Sequence, residues 1–343
     1  MKIENKMMLT AGAAENVQKV RATAEEKFLN SEKPHPNVVG IGTGVKWKDG
    51  KPTGEPALLV LVTHKVGKET LSKGELIPAK VGTMQTDVLA IGYPIAGNDA
   101  AIDAGSETLA KRLRPARGGY SVGHKNITAG TIATCVYDIL PGGGTNPPVH
   151  GVGIPPKYYI LSNNHVLANV NAGLVGDAIL QPGPYDGGTD PADRIATLTR
   201  FVPIDFAPTA SNLVDAAIAE GQFHDLDREI YWTSAVRGWR RKALVPVGLV
   251  VKKTGRTTNF TTGRITAINA TVNVSYGSGR VGRFVDQIVT TNMSAGGDSG
   301  SLVLTLDNVA VGLLYAGSAV AMIANQIENV RALLRVEVAE QIL

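Results

Sequence analysis

A serine hydroxyl is a weak nucleophile unless a base takes its proton and a third group orients that base. Ser299 stands where such chemistry is feasible. It lies in Ser294-Ala-Gly-Gly-Asp-Ser-Gly-Ser-Leu-Val-Leu304, between Asp298 and Gly300 and just before an apolar run. The pattern reads as a tight turn entering a strand, with the hydroxyl exposed on the turn. Gly297 lets the backbone take a conformation closed to other residues. The N–H groups of Gly297 and Ser299 can then converge on a developing oxyanion.

The base is sought among six histidines. His165 ends the strand-like run Tyr158-Tyr-Ile-Leu and is followed by apolar residues, whereas the others stand in polar or Gly/Pro surroundings. For the orienting group, Asp215 is a lone carboxylate in Asn212-Leu-Val-Asp-Ala-Ala-Ile-Ala219. Burying a carboxylate is costly unless it is paired, and a histidine N–H is a suitable partner. Asp205 is the runner-up, flanked by Pro203 and Pro208. Each residue alone has a plain explanation: a common turn, a packed histidine, a salt-bridge partner. Together, in the order His165, Asp215, Ser299, they form a candidate triad.

Such a triad needs a rigid scaffold to hold it. After Gly118, short β-type runs recur between Gly, Pro, Asn and Asp, among them Gly130–Tyr137, Tyr158–Leu161, Arg194–Val202, Gly263–Ile268 and Ala310–Ala316. This density predicts an all-β sandwich or a pair of barrels. Residues 1–97 read as a small α+β module. It has a helix over 13–30, with Ala13, Val17, Val20, Ala24 and Phe28 on one face, and strands at Asn37–Trp47, Ala57–His64 and Met84–Ile91. Asp49-Gly50 marks a hairpin turn between the first two strands. Residues 98–117 read as a linker that holds a short helix at Ser106–Arg112. A closing helix is expected over 326–335.

The stretch Lys253-Thr-Gly-Arg-Thr-Thr-Asn-Phe-Thr-Thr-Gly-Arg-Ile265, continuing through Thr271–Tyr276 to Gly296-Gly-Asp-Ser-Gly300, resembles the alpha-lytic/streptogrisin branch of the chymotrypsin-like serine peptidases. The His–Asp–Ser order is theirs as well. The resemblance covers about residues 118–335. It implies two six-stranded antiparallel barrels, at about 118–222 and 244–325, within a peptidase domain over 118–343. It also implies serine endopeptidase activity through His165, Asp215 and Ser299, with Gly297 and Ser299 N–H groups as the oxyanion hole. The whole chain is similar, more loosely, to cytosolic trypsin-like proteins of bacteria and of the plant narrow-leaf type. There are departures. Ser162-Asn163-Asn164 replaces the usual small residues before the histidine, Thr261-Thr262 stands where a cysteine is common, and Ser301 follows Gly300. Aligned on the family, the specificity pocket has Met293 and Ser294 at its base and Tyr315-Ala316-Gly317 opposite, with Ala321 and Met322 behind. No acid lies in that set, which argues against Arg or Lys substrates. The two methionines leave room for small or medium apolar side chains.

Other function classes fit less well. Basic residues exceed acidic ones by only 34 to 30, and the basic stretches Lys111–Arg117 and Arg237–Lys242 lack interleaved aromatics, so no nucleic-acid partner is expected. Gly277-Ser-Gly-Arg-Val-Gly282 matches a dinucleotide fingerprint, yet strand-like sequence lies on both sides, so a hairpin loop is the better reading. Neither metal nor cofactor is expected, and no membrane span. The lone Cys135 excludes an internal disulfide framework and fits a cytoplasmic setting. The edges of the N-terminal sheet point to a homo-oligomer, with residues 1–97 serving assembly or regulation. A removable inhibitor across the cleft is the alternative for that module, and an activating partner is compatible with either. A protease-fold scaffold without catalysis is the alternative for the whole chain.

Overall fold

The computed structural model describes residues 6–97, 108–127, 129–139 and 157–338. The expected loop at Pro141–Pro156 and residues 98–107 of the expected linker lie outside the described residues. The fold is mainly β. Among the described residues the α-helices are short: Ala11–Gln18 (α1), Arg21–Phe28 (α2), Asn164–Leu167 (α3) and Ile327–Leu334 (α4).

The N-terminal strands are Val38–Lys48 (β1), Lys51–Val62 (β2) and Met84–Ala90 (β3). Asp49 and Gly50 both have positive φ, at 51° and 72°, as a two-residue hairpin loop requires. β2 also pairs in parallel with β3, through Leu58–Thr86 and Val60–Val88. Val17, Ala24 and Phe28 bury their apolar surface against Ile41, Leu58 and Val60 of this sheet. The single helix expected over 13–30 is two helices. The chain breaks at Val20 (φ −101°, ψ 3°). The break lets Gln18 donate to Thr43 Oγ1 of β1 at 2.6 Å, and Arg21 donate to Thr271 Oγ1 at 2.8 Å. The helix expected at Ser106–Arg112 is absent from its described part, residues 108–112, which are irregular.

Further along the chain, the strands that position the site are Tyr158–Ser162 (β4), Val250–Gly255 (β5), Asn259–Ser275 (β6), Val281–Thr291 (β7), Leu302–Thr305 (β8), Val309–Gly317 (β9) and Ala321–Gln326 (β10). The order β5-β8-β9-β10-β7-β6 returns on itself because β5 pairs with both β8 and β6. Six strands thus close into a barrel. β4 belongs to a separate eight-stranded sheet, between Cys135–Asp138 and Ala217–Gly221. The expected pair of six-stranded barrels is therefore met as one closed ring beside a larger sheet. The chain end accounts for part of the difference, since Val336–Glu337, after α4, pairs with Cys135–Asp138 and lengthens that sheet.

The N-terminal sheet joins the closed barrel. β1 pairs antiparallel with the far half of β6, through Gly40–Val272, Ile41–Thr271 and Thr43–Ile268. The approach at Gly40 is so close that a Cβ there would stand 2.5 Å from the Thr271 carbonyl oxygen. Backbone cannot yield as a flexible side chain can, so Gly40→Ala should loosen the β1–β6 pairing. The expected cost is about 1–3 kcal/mol, the usual range for overpacking a tight contact. Urea unfolding checks it, and an unchanged midpoint would refute the close-approach account.

Candidate active site

β4 carries the chain to Ser162, and its pairing with Ala217 sets Asp215 beside the start of α3. Asp215 is fully buried. Its Oδ1 accepts the His165 backbone N–H at 3.1 Å, and its Oδ2 lies 2.6 Å from His165 Nδ1. Asn163 Nδ2 donates to the Asp215 carbonyl at 2.7 Å, and the Asp215 N–H donates to Asn325 Oδ1 at 3.1 Å. Main chain and side chain are thus both fixed. The Tyr276 hydroxyl also donates to Asp215 Oδ2, at 2.7 Å. Asp205, the alternative acid, instead caps its own loop by accepting the Ala207 N–H at 2.9 Å.

Ser299 follows a turn held by its neighbour. The Asp298 carboxylate accepts N–H groups from Thr257 (2.9 Å), Thr258 (3.1 Å) and Ala295 (3.0 Å), the Thr258 hydroxyl (2.6 Å) and the Lys253 ammonium (3.1 Å). Both members of this ion pair are fully buried. Burial draws Lys253 below the ordinary lysine range, against the opposing pull of Asp298. Gly297 has φ +90°, and a Cβ there would stand 2.5 Å from Thr257 Oγ1, so both conformation and space demand glycine. Gly297, Ser299 and His165 line one cleft of about 710 Å³. His165 Nε2 has no hydrogen-bond partner among the described residues.

A strap from the N-terminal module lies in this region. The Ile95 N–H donates to the Gly317 carbonyl at 3.0 Å, and the Gly317 N–H donates back to the Ile95 carbonyl at 3.1 Å. On the other side, the Ala96 N–H donates to the Ser275 carbonyl at 2.9 Å and the Ser275 N–H to the Pro94 carbonyl at 3.0 Å. Residues 94–96 therefore sit as a short strand between the ends of β6 and β9. Tyr93, Ile95 and Gly97 form part of the wall of a second cavity, of about 540 Å³, which Ser299 also lines.

No family model matches the chain. Over 75 residues it is 47% identical to glutamyl endopeptidase 2 of Streptomyces griseus, a match covering 21% of this chain and 35% of that protein. The chain thus spans about a third of the length of this curated relative. The likeness is to the chymotrypsin-like serine peptidases. Solved structures of the same kind also align. Thermobifida fusca protease A aligns at 16% identity, covering 66% of this chain and 98% of that one, with a TM-score of 0.44. The chymotrypsin of Cellulomonas bogoriensis aligns at 18% identity, covering 66% and 98%, with a TM-score of 0.43. A glutamic acid-specific serine protease, described as binding substrate through a histidine triad, aligns at 21% identity over 65% and 99%, with a TM-score of 0.42.

The expected pocket can be checked residue by residue. Ser294, Ala316 and Gly317 line the 540 Å³ cavity beside Ser299, as does Leu314. Met293, Tyr315 and Met322 do not. They are buried in two separate parts of the core, Met293 and Met322 with Val251 and Ile265, Tyr315 with Phe284 and Ile323. The methionines therefore do not fill the pocket. Sequence reasoning also missed Tyr276, Lys253 and the strap. Lys253 left a signal, because it shares the inward face of β5 with Val251, two residues earlier. Lys253→Met should leave Asp298 buried without its cation and cost about 3 kcal/mol, the usual scale for breaking a buried pair. Chemical denaturation measures it, and a loss below a few tenths would refute a structural role for the pair.

Proposed function

We propose that this chain is a serine endopeptidase whose own strap lies across its substrate groove. The observation that carries the reading is the 2.6 Å contact of His165 with the buried Asp215, in the same cleft as Ser299 and the left-handed Gly297. In this reading, Ser299 Oγ attacks the carbonyl carbon of the scissile amide and His165 Nε2 takes its proton. Gly297 and Ser299 N–H groups hold the oxyanion. The C–N bond breaks as His165 returns the proton to the leaving amine, leaving an ester on Ser299. Water, deprotonated by the same histidine, then cleaves that ester. Asp215 holds the ring and stabilises its cation throughout.

Among the described residues no charged side chain and no histidine lines the 540 Å³ cavity. That supports apolar side chains on the acyl side of the cleaved bond, rather than the glutamate named for the Streptomyces relative or an Arg or Lys. Leu314 and Ala316 supply apolar wall. An extended substrate would pair with the Gly317 edge by strand addition. Ile95 already holds that edge, which supports a regulatory rather than an assembly role for residues 1–97.

A fluorophosphonate probe tests the nucleophile. Labelling is expected in the unaltered chain and lost in Ser299→Ala. A folded chain that fails to label even after the strap is weakened would favour a silent scaffold. Ile95→Pro removes the N–H that bonds Gly317. It should raise the labelling rate and peptide turnover about tenfold, the value of one to two hydrogen bonds. Equal rates in the two chains would refute the inhibitory strap.

A further inference from the structure

Asp215 is held by more than the histidine it serves. Its Oδ2 accepts two short hydrogen bonds, one from His165 Nδ1 at 2.6 Å and one from the Tyr276 hydroxyl at 2.7 Å. Two donors on one oxygen fix its position in two directions. His165 holds the carboxylate through both oxygens, its backbone N–H on Oδ1 and its ring on Oδ2, and Tyr276 adds a bond to Oδ2 from a separate part of the fold. Tyr276 is itself immobilised. Its ring packs edge-on against His165 at 6.1 Å and Phe206 at 5.4 Å, and stacks on Phe284 at 6.0 Å. Its N–H donates to the Arg280 carbonyl at 2.9 Å, closing the turn over Gly277–Gly279.

We infer that Tyr276 is a positioning residue of the triad, its hydroxyl holding Asp215 Oδ2 in line with His165 Nδ1. The inference rests on the triad reading above. The geometry favours this role over simple wall packing, because the hydroxyl's recorded bond is to that carboxylate and is buried. The phenol keeps its proton as the pH rises. Burial, then the charge of Asp215, pushes it well above the ordinary tyrosine range, so it stays a donor wherever the carboxylate is charged. The ionisable groups recorded around the carboxylate are His165, Tyr276 and, from β9, Tyr315, whose hydroxyl has no partner among the described residues. The other groups touching Asp215, Asn163 and Asn325, are neutral amides.

Tyr276 also stands one residue after Ser275, which the strap clamps through Pro94 and Ala96. Whatever strand lies in the groove thus braces the backbone that carries the positioning hydroxyl.

Tyr276→Phe in the full chain tests the inference, since it removes the hydroxyl and keeps the ring. Turnover kcat should fall about tenfold with KM within about twofold, the scale of one bond to a charged group. The acidic limb of the kcat/KM profile should move to higher pH, because Oδ2 with one donor fewer draws more strongly on the imidazolium. The downfield NMR resonance of the His165 Nδ1 proton should shift as well. Phe206→Leu removes ring packing but no hydrogen bond, and should leave both limb and resonance in place. An unchanged profile and resonance in Tyr276→Phe, with only a lower Tm, would overturn the inference. If neither the unaltered chain nor Ile95→Pro cleaves a peptide, the peptidase reading fails by itself. The resonance then decides alone, a shift supporting the positioning role and no shift overturning it.

Discussion

The buried Asp298 carboxylate is the point on which the site depends. It is placed between Gly297 and Ser299, so whatever fixes it fixes both. The donors come from three places: Lys253 at the end of β5, Thr257 and Thr258 in the next turn, and Ala295 just before the glycines. A charge removed from water must find such partners, and these leave it one pose. The eight-stranded sheet is tied in at the same place. Thr131 donates its hydroxyl to the Gly297 carbonyl at 2.8 Å and accepts the Arg256 N–H at 2.9 Å, while its own N–H bonds the Ser299 carbonyl at 2.8 Å. One residue of the eight-stranded sheet therefore holds the turn that bears Ser299, and the closed barrel supplies the rest. The His165–Asp215 pair is built from the other direction, on β4 and its neighbour.

The grouping of His165, Asp215 and Ser299 could be picked out in the sequence, whereas the walls of the cavity beside Ser299 could not. Asp215 and Ser299 were legible from their immediate neighbours, and His165 from the strand-like run it ends. A carboxylate inside an apolar run and a serine between Asp and Gly on a turn need a reason, and the same reason serves both. Pocket walls carry no such signal. In Leu314-Tyr315-Ala316-Gly317, facing is decided by strand phase, and the β9–β10 register shifts between Leu314 and Ala316. One residue of slip moves a side chain from cavity to core. Met293 and Met322 read as pocket filler from the alignment and are core.

The helix and strands of the N-terminal module were visible as periodic patterns, but their attachment was not. Only one hint existed. Gly40, Gly42 and Gly44 alternate along β1, placing bare backbone on one face of a strand. Such a face invites close approach by another chain segment. In the structure that face meets β6, with Gly42 against Ala267 and Ala270 and Gly44 near the Thr266 carbonyl. The break between α1 and α2 was equally hidden, because the bonds that reward it run to Thr43 and Thr271, far off in sequence. Tyr276 was hidden for a like reason. An aromatic before Gly-Ser-Gly resembles any strand end, and its partner Asp215 lies 61 residues away.

These separate features converge on β6. Its first half pairs with β5 and so bears on Lys253 and Asp298, while its far half pairs with β1 and so holds the N-terminal sheet. Ser275, its last residue, clamps the strap, and Tyr276 follows at once. A 17-residue strand is rigid only while both its edges are paired, and here β7 supplies the second edge along much of its length. Loosening β1 would free the far half of one edge, the half that ends at Ser275. The strap and the positioning hydroxyl would then lose their common support together. The N-terminal sheet, the strap and the Tyr276 contact to Asp215 thus all rest on one strand or the residue that follows it.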